Sequence, residues 1–346
     1  MQRDYWPTTE WRTREPAALG LDTEKFSELN HLIKTQYSNL NGIVVVHKGY
    51  IAFEKYENSF IASDTHHVAS VTKSVTSALI GIAIDKGFIK SVDEKILDFF
   101  PEYVSDASDI QKRAVTIRQL LTMTAPFPFT WKPGGEVREP LDRLRRQKNW
   151  TQYTLDLLGQ KGRMGEFQYC TAGAHLLSVI LTRTTGKSAR EFANEQLFGP
   201  IGMKIIADRQ MKSFGLEDVF GKNLKGWIHD PNGNSTGGWG LCLTLRDMAR
   251  FGFLYLNDGI WEDKQIVSKT WHDESIAMNA NKYGYLWWLQ EEDGYFAYMA
   301  MGDGGNAIVC IPAKDLIVTI ASKIVSKPRD IWPLIKNCII PSVIIR

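Results

Sequence analysis

Cysteine is scarce: there are four residues in 346, Cys170, Cys242, Cys310 and Cys338, far apart and with no Cys-x-x-Cys pair. That spacing argues against a disulfide framework and an ordinary zinc site, so the four read as free thiols. Charge of one sign is equally lacking. A net charge of +2 offers no electrostatic case for nucleic acid or an anionic membrane as partner. Apolar runs are too short or too interrupted to span a bilayer, the C-terminal "NCIIPSVIIR" included. The first twenty residues hold no apolar segment of the kind a secretory signal needs. A cytoplasmic protein is the expectation, although a chain whose leader had been removed would read the same. Repeats and low-complexity tracts are missing too.

What is present is an ordinary globular composition, 44% hydrophobic and 23% charged, in a chain long enough for one large domain or two interleaved ones. "GIVVVHKGYIAFEKYE" reads as two strands around a His47-Lys48-Gly49 turn, and "NAIVCIPAKDLIVTIAS" repeats the pattern near the C-terminus, turning at Pro312–Asp315. Much of the intervening chain is helical. "AGAHLLSVILTRTTG" reads as a helix closed by Gly186, and "TLRDMARFGFLYLNDG" as one capped by Thr244 with Asp247 at its third position. The predicted layout is α+β: the early and late hairpins share an antiparallel sheet flanked by helices. Residues 1–100 and 226–346 form a discontinuous sheet domain, and 101–225 a mostly helical insertion with the site in the cleft between.

The most informative stretch is "HVASVTKSVTSALIGIAIDKG". From Ser70 to Lys86 apolar residues recur at three- and four-residue spacing, and Ile80 and Ile84 fill the other face, so the helix should be buried nearly all round. Gly87 closes it. Ser70 and Lys73, at i and i+3, face the same way, so hydroxyl and amine can touch. Free N–H groups at the helix start favour an oxyanion nearby. One Ser-x-x-Lys is expected by chance in a chain this long, but this one is single and stands where a buried helix begins. Either burial suits Lys73 to act as a base, or it stays charged and polarises another base.

These residues resemble the first motif of the serine β-lactamase and penicillin-binding-protein superfamily, most closely its class C and esterase-like branch. The similarity runs from about Trp11 to Ser322 and includes "VTIRQLLTMTAPF", "LFGPIGM", "STGGWGLCLTLRDMARFGFLYLNDGIW" and "YGYLWW". It implies a β-lactamase/transpeptidase-like fold, with Ser70 as nucleophile, Lys73 as its partner and no metal or organic cofactor. The second motif, normally Tyr-x-Asn, is carried by "FQYCTAGAHLL": Tyr169 would relay protons, and Thr171 stands where the asparagine is expected. "AMGDGGNAIVCIP" aligns with the third motif, placing Asp303, Gly304 and Gly305 against the substrate and pairing the backbone N–H groups of Ser70 and Asn306 as an oxyanion hole. Asp303 is a departure, for it would repel a penicillin carboxylate unless it merely makes a turn with Gly302.

The implied activity is cleavage of an ester or amide through an acyl-enzyme, on a small molecule or short peptide. An esterase or amidase of the linear-amide or nylon-oligomer type comes first. A D-amino-acid peptidase, β-lactamase or penicillin-binding protein comes next, and a non-catalytic protein binding a peptide or cell-wall fragment is the alternative of another class. Oligomeric state is not legible. "GNSTG" offers Ser235 as a rival nucleophile with His272 as its base, but turn residues precede it and no helix follows, so the match reads as accidental. His66-His67 lacks a third ligand at metal spacing and reads as surface or packing residues. Trp131, Trp239, Trp287, Trp288 and Tyr298 together suggest an apolar acyl pocket. Cys170, beside Tyr169, reads either as reactive or as filler.

Overall fold

The two hairpins meet in one sheet. A computed structural model describes residues 3–128, 141–213, 215–222, 224–325 and 327–344; Trp131 lies outside them. Strands β1 (Leu40–His47) and β2 (Tyr50–Tyr56) form the early hairpin. β3 (Trp288–Glu292), β4 (Tyr295–Gly302), β5 (Asn306–Ile311) and β6 (Leu316–Ser322) form the late segment. Their spatial order is β2-β1-β6-β5-β4-β3, antiparallel throughout. β1 pairs with β6 so that Val44 faces Thr319 and His47 faces Leu316. Lys48 and Gly49 both take positive φ, 51° and 82°, in the tight turn between β1 and β2.

Alternation along each strand sends side chains to two separate cores. Val44, Val46, Tyr298, Ala300, Ile308 and Ile317 join one cluster, while Ile43, Val45, Ala297, Met299 and Val309 join the other. Helix α1 (Thr23–Gln36) covers the second face together with the C-terminal residues 331–340. Three helices belong to the first: α2 (Val71–Asp85), α3 (Thr171–Thr185) and α4 (Leu245–Leu256).

Local chemistry explains where these helices start and stop. Every residue of α2 from Val71 to Ala83 is buried, as expected of a helix apolar on all sides, and each large aliphatic removed from water contributes about 1.5–3 kcal/mol. Gly87 follows the helix in the left-handed region at φ 75°. α3 begins at Cys170, whose Sγ accepts the Gly173 N–H, and ends at Gly186 with φ 70°. α4 begins at Thr244, whose Oγ1 accepts the Asp247 N–H at 3.0 Å while donating to the Asp247 carboxylate at 2.8 Å. Between Ile110 and Phe220 the described elements are nearly all helical, apart from the two-residue strand Asp208–Arg209. α2 packs on α3 on one side and on β4 on the other. Its N-terminus, and with it Ser70, therefore emerges between the start of α3 and the end of β4. No helix among the described residues is long and apolar enough to cross a membrane.

Candidate active site

Ser70 is the N-cap of α2 and is half-buried. The residue before it, Ala69, sits at φ 50°, a left-handed conformation that costs a non-glycine residue of order 1 kcal/mol or more. Two contacts hold it there. The Ala69 N–H donates to His67 Nδ1 at 3.3 Å, and its carbonyl accepts the Thr72 hydroxyl at 2.8 Å. His67 and His66 form a two-residue strand against Cys242 and Leu243, with His67 edge-on to Phe220 and His66 tilted on Phe60. Both are buried rather than on the surface, which settles their role as packing. Burial pushes the His67 imidazole down to about 3 and that of His66 down to about 4. His67 is therefore neutral, and its Nδ1 is free to accept.

Lys73 is 1% exposed, and its Nζ has three partners: Ser70 Oγ at 2.9 Å, the Gly238 carbonyl at 2.9 Å and Thr171 Oγ1 at 3.1 Å. Thr171 thus occupies the contact expected of the missing asparagine. All three contacts have Nζ as donor, and together they hold the amine against the Ser70 hydroxyl.

The glycine loop exists to make this contact. A Cβ on Gly238 would lie 2.6 Å from Thr171 Cγ2 and 3.4 Å from Lys73 Nζ, and one on Gly237 would lie 2.2 Å from the Ala174 carbonyl oxygen. Thr76, three residues beyond Lys73 on the same face of α2, donates to the Gly237 carbonyl at 2.8 Å. Behind the loop, the Gly237 N–H donates to His175 Nδ1 at 3.4 Å, and His175 Nε2 reaches the buried Asp230 carboxylate at 3.1 Å. Burial raises the Asp230 carboxyl, but hydrogen bonds from His175 and Asn234 outweigh it and leave the group below the usual carboxylate range.

Tyr169 stands just before the N-cap of α3. Its ring stacks on Trp288, with centroids 5.7 Å apart at 21°, meets Tyr283 edge-on, and lies 4.8 Å from Lys73 Nζ. Its contact with Lys73 is through the ring, and its hydroxyl forms no hydrogen bond with Ser70 or Lys73. Cys170 is buried and caps α3 through Sγ, a structural use of the thiol.

At the third motif the structure shifts the expected register. A Cβ on Gly302 would lie 2.4 Å from the Val68 carbonyl oxygen and 3.1 Å from the Ser70 nitrogen. It is the glycine before Asp303, not the two after it, that lets the strand approach the nucleophile. Asp303, Gly304 and Gly305 form the turn between β4 and β5, with Gly304 at φ 83° and Gly305 at φ 93°. Asn306 starts β5 opposite Gly302 and is wholly buried; its side chain donates to the Asp303 carbonyl at 2.7 Å and accepts the Ser322 N–H at 3.0 Å. The backbone closest to Ser70 in this segment is therefore the end of β4, around Gly302. Asp303 itself is exposed.

The expected aromatic group divides. Trp288 stacks on Tyr169, and Trp239 stacks on Trp150 at 6.1 Å while approaching His67 at 6.2 Å. Trp287 and Tyr298, fully buried, pack instead with Phe251 and Tyr255 in the core. Ser235 is 1% exposed and accepts the Arg190 N–H at 3.1 Å, so it is no exposed nucleophile. His272 lies against Tyr255 and Tyr298. The supporting roles of Gly302, Gly238, His67 and the Asp230–His175 pair went unread in the sequence. The unusual run of glycines in "STGGWG" and "MGDGG" was their one signal.

A serine and a buried lysine thus stand at the head of a helix, beside the end of an antiparallel sheet. The family model described as Beta-lactamase matches residues 41–332, and the chain belongs to that family. Among relatives, it is 26% identical over 246 residues to the 6-aminohexanoate-dimer hydrolase of Paenarthrobacter ureafaciens, covering 68% of this chain and 57% of that one. It is 24% identical over 290 residues to Beta-lactamase-like protein 2 of Dictyostelium discoideum, covering 73% and 48%. The chain thus spans about half the length of these relatives. Its fold resembles that of a putative 6-aminohexanoate-dimer hydrolase from Bacillus anthracis, with TM-score 0.71, 23% identity and coverage of 90% and 80%. It also resembles a class C beta-lactamase from Rhodobacter sphaeroides, with TM-score 0.62, 15% identity and coverage of 92% and 99%.

Proposed function

We propose that the protein hydrolyses an ester or amide through an acyl-enzyme on Ser70, acting on linear substrates in preference to bicyclic lactams. The observation that carries this reading is the 2.9 Å contact between Lys73 Nζ and Ser70 Oγ, made by a lysine whose other two partners are already in place. Ser70 Oγ attacks the carbonyl carbon and its proton passes to Lys73. The oxyanion is held by the Ser70 N–H and the backbone at the end of β4. Collapse of the tetrahedral adduct expels the leaving group, which takes a proton relayed through Lys73 and Tyr169 once the phenol turns toward the nucleophile. Water then attacks the acyl carbon and frees Ser70. The likeness to 6-aminohexanoate-dimer hydrolases supports a linear amide as the substrate class.

The test is hydrolysis of a short-chain p-nitrophenyl ester by the wild type and by Ser70→Ala. Activity lost in the variant supports the reading. Activity equal in both refutes Ser70 as nucleophile.

A further inference from the structure

The strand end beside the nucleophile carries a single charge, and it is negative. Ala300 and Met301 are uncharged, Gly302 has no side chain, and Asp303 follows. A Cβ on Gly302 would lie 3.1 Å from the Ser70 nitrogen. Successive Cα atoms are about 3.8 Å apart, so the Asp303 Cα lies within about 9 Å of that nitrogen.

The backbone of Asp303 is fixed while its carboxylate is left over. The Asp303 carbonyl accepts the Asn306 amide at 2.7 Å, and Asn306 is itself held by the Ser322 N–H at 3.0 Å. The Asp303 side chain is exposed and forms no hydrogen bond or ion pair with any described residue. Lys323, whose backbone abuts Gly304, does not pair with it. An acidic residue serving only a turn would ordinarily bond a nearby backbone N–H, as Asp230 does with the N–H groups of Asn232 and Asn234. Asp303 makes no such bond. The Asp303 Cα lies within about one Debye length, about 10 Å at 0.1 M salt, of the Ser70 nitrogen.

We propose that Asp303 is a specificity-determining residue that selects substrates bearing a positively charged amine near the scissile carbonyl, such as ω-aminoacyl esters and amides, and disfavours those bearing a carboxylate there. This rests on the hydrolase reading above. The test uses three p-nitrophenyl esters of matched length: 6-aminohexanoate (cationic), hexanoate (neutral) and the half-ester of adipate (anionic).

Wild-type kcat/KM should fall in that order. An exposed charge pair gives about threefold to fivefold per step, shrinking as salt is raised to about 0.5 M. Asp303→Asn should flatten the cation-to-anion ratio, and Asp303→Lys should invert it. Ratios within one variant are compared, so a general loss of activity cannot imitate the effect. A ratio equal in wild type and Asp303→Asn would overturn the proposal while leaving the hydrolase reading standing. Turnover of the neutral ester that survives Ser70→Ala, or failure of all three esters to acylate Ser70, would overturn the hydrolase reading and this proposal with it.

Discussion

His66 offers a sharp test of how the nucleophile's support is built, because burial outweighs the opposing pull of the Asp64 charge on its protonation. The ring is 5% exposed and tilts on Phe60 at 4.5 Å, and its Nε2 has no hydrogen-bond partner among the described residues. Burial lowers it from an ordinary 6.5 to about 4, and its neighbour His67 to about 3. The sign follows from linkage: below the ordinary value the unfolded chain takes up protons that the native state refuses, so stability falls as pH falls. At about 1.36 kcal/mol per unit, going from pH 7 to about pH 5 removes about 2 kcal/mol for each imidazole, or about 4 kcal/mol for the pair. That is a large part of the 5–15 kcal/mol typical of a folded domain. His47, also lowered by burial, acts in the same direction. His66→Phe keeps a ring against Phe60 and removes only the titrating nitrogen. Urea unfolding at the two pH values should show the variant at least as stable as wild type near neutrality and about 2 kcal/mol more stable at about pH 5. A wild-type minus variant difference that does not change with pH would refute the reasoning.

Gly238→Ala would push a methyl group to 2.6 Å from Thr171 Cγ2, displacing the carbonyl that grips Lys73. The expected result is loss of about tenfold to a hundredfold in kcat/KM with the fold retained by circular dichroism. Asp230→Asn removes the charged acceptor of His175 and should cost about 2 kcal/mol near neutrality by urea midpoint. Because the Asp230 carboxyl sits low in the folded protein, that wild-type advantage is full above the ordinary carboxylate value and is lost as pH falls through the folded one. Stability curves of both proteins down to about pH 3 would check it.

The parts of this protein governed by local pattern were legible in the sequence. The turn at Lys48–Gly49, the cap at Thr244 with Asp247, the stop at Gly186 and the all-apolar face of α2 each depend on residues close in the chain, and each appears as expected. So does the touching of Ser70 and Lys73, since three residues along a helix fix that geometry. What failed were inferences that depend on approach in space. Which glycine of "MGDGG" meets Ser70 is decided by where β4 ends, and three glycines close together conceal that point. Trp287 and Trp288 are adjacent in sequence, yet extended backbone sends them to opposite sides, one to the core and one to Tyr169. The contact of Thr171 with Lys73 shows a substitution in the motif keeping its hydrogen bond with a different side chain.

The central claim is that Ser70 becomes acylated with Lys73 as its proton acceptor. Intact-mass analysis of wild type, Ser70→Ala and Lys73→Ala, quenched in acid during turnover of a p-nitrophenyl ester, tests it directly. The account predicts one acyl adduct, mapped to the Ser70 peptide, in the wild type and none in Ser70→Ala, with Lys73→Ala acylating at least about a hundredfold more slowly. An adduct on any other residue, or equal acylation in Ser70→Ala, would contradict it.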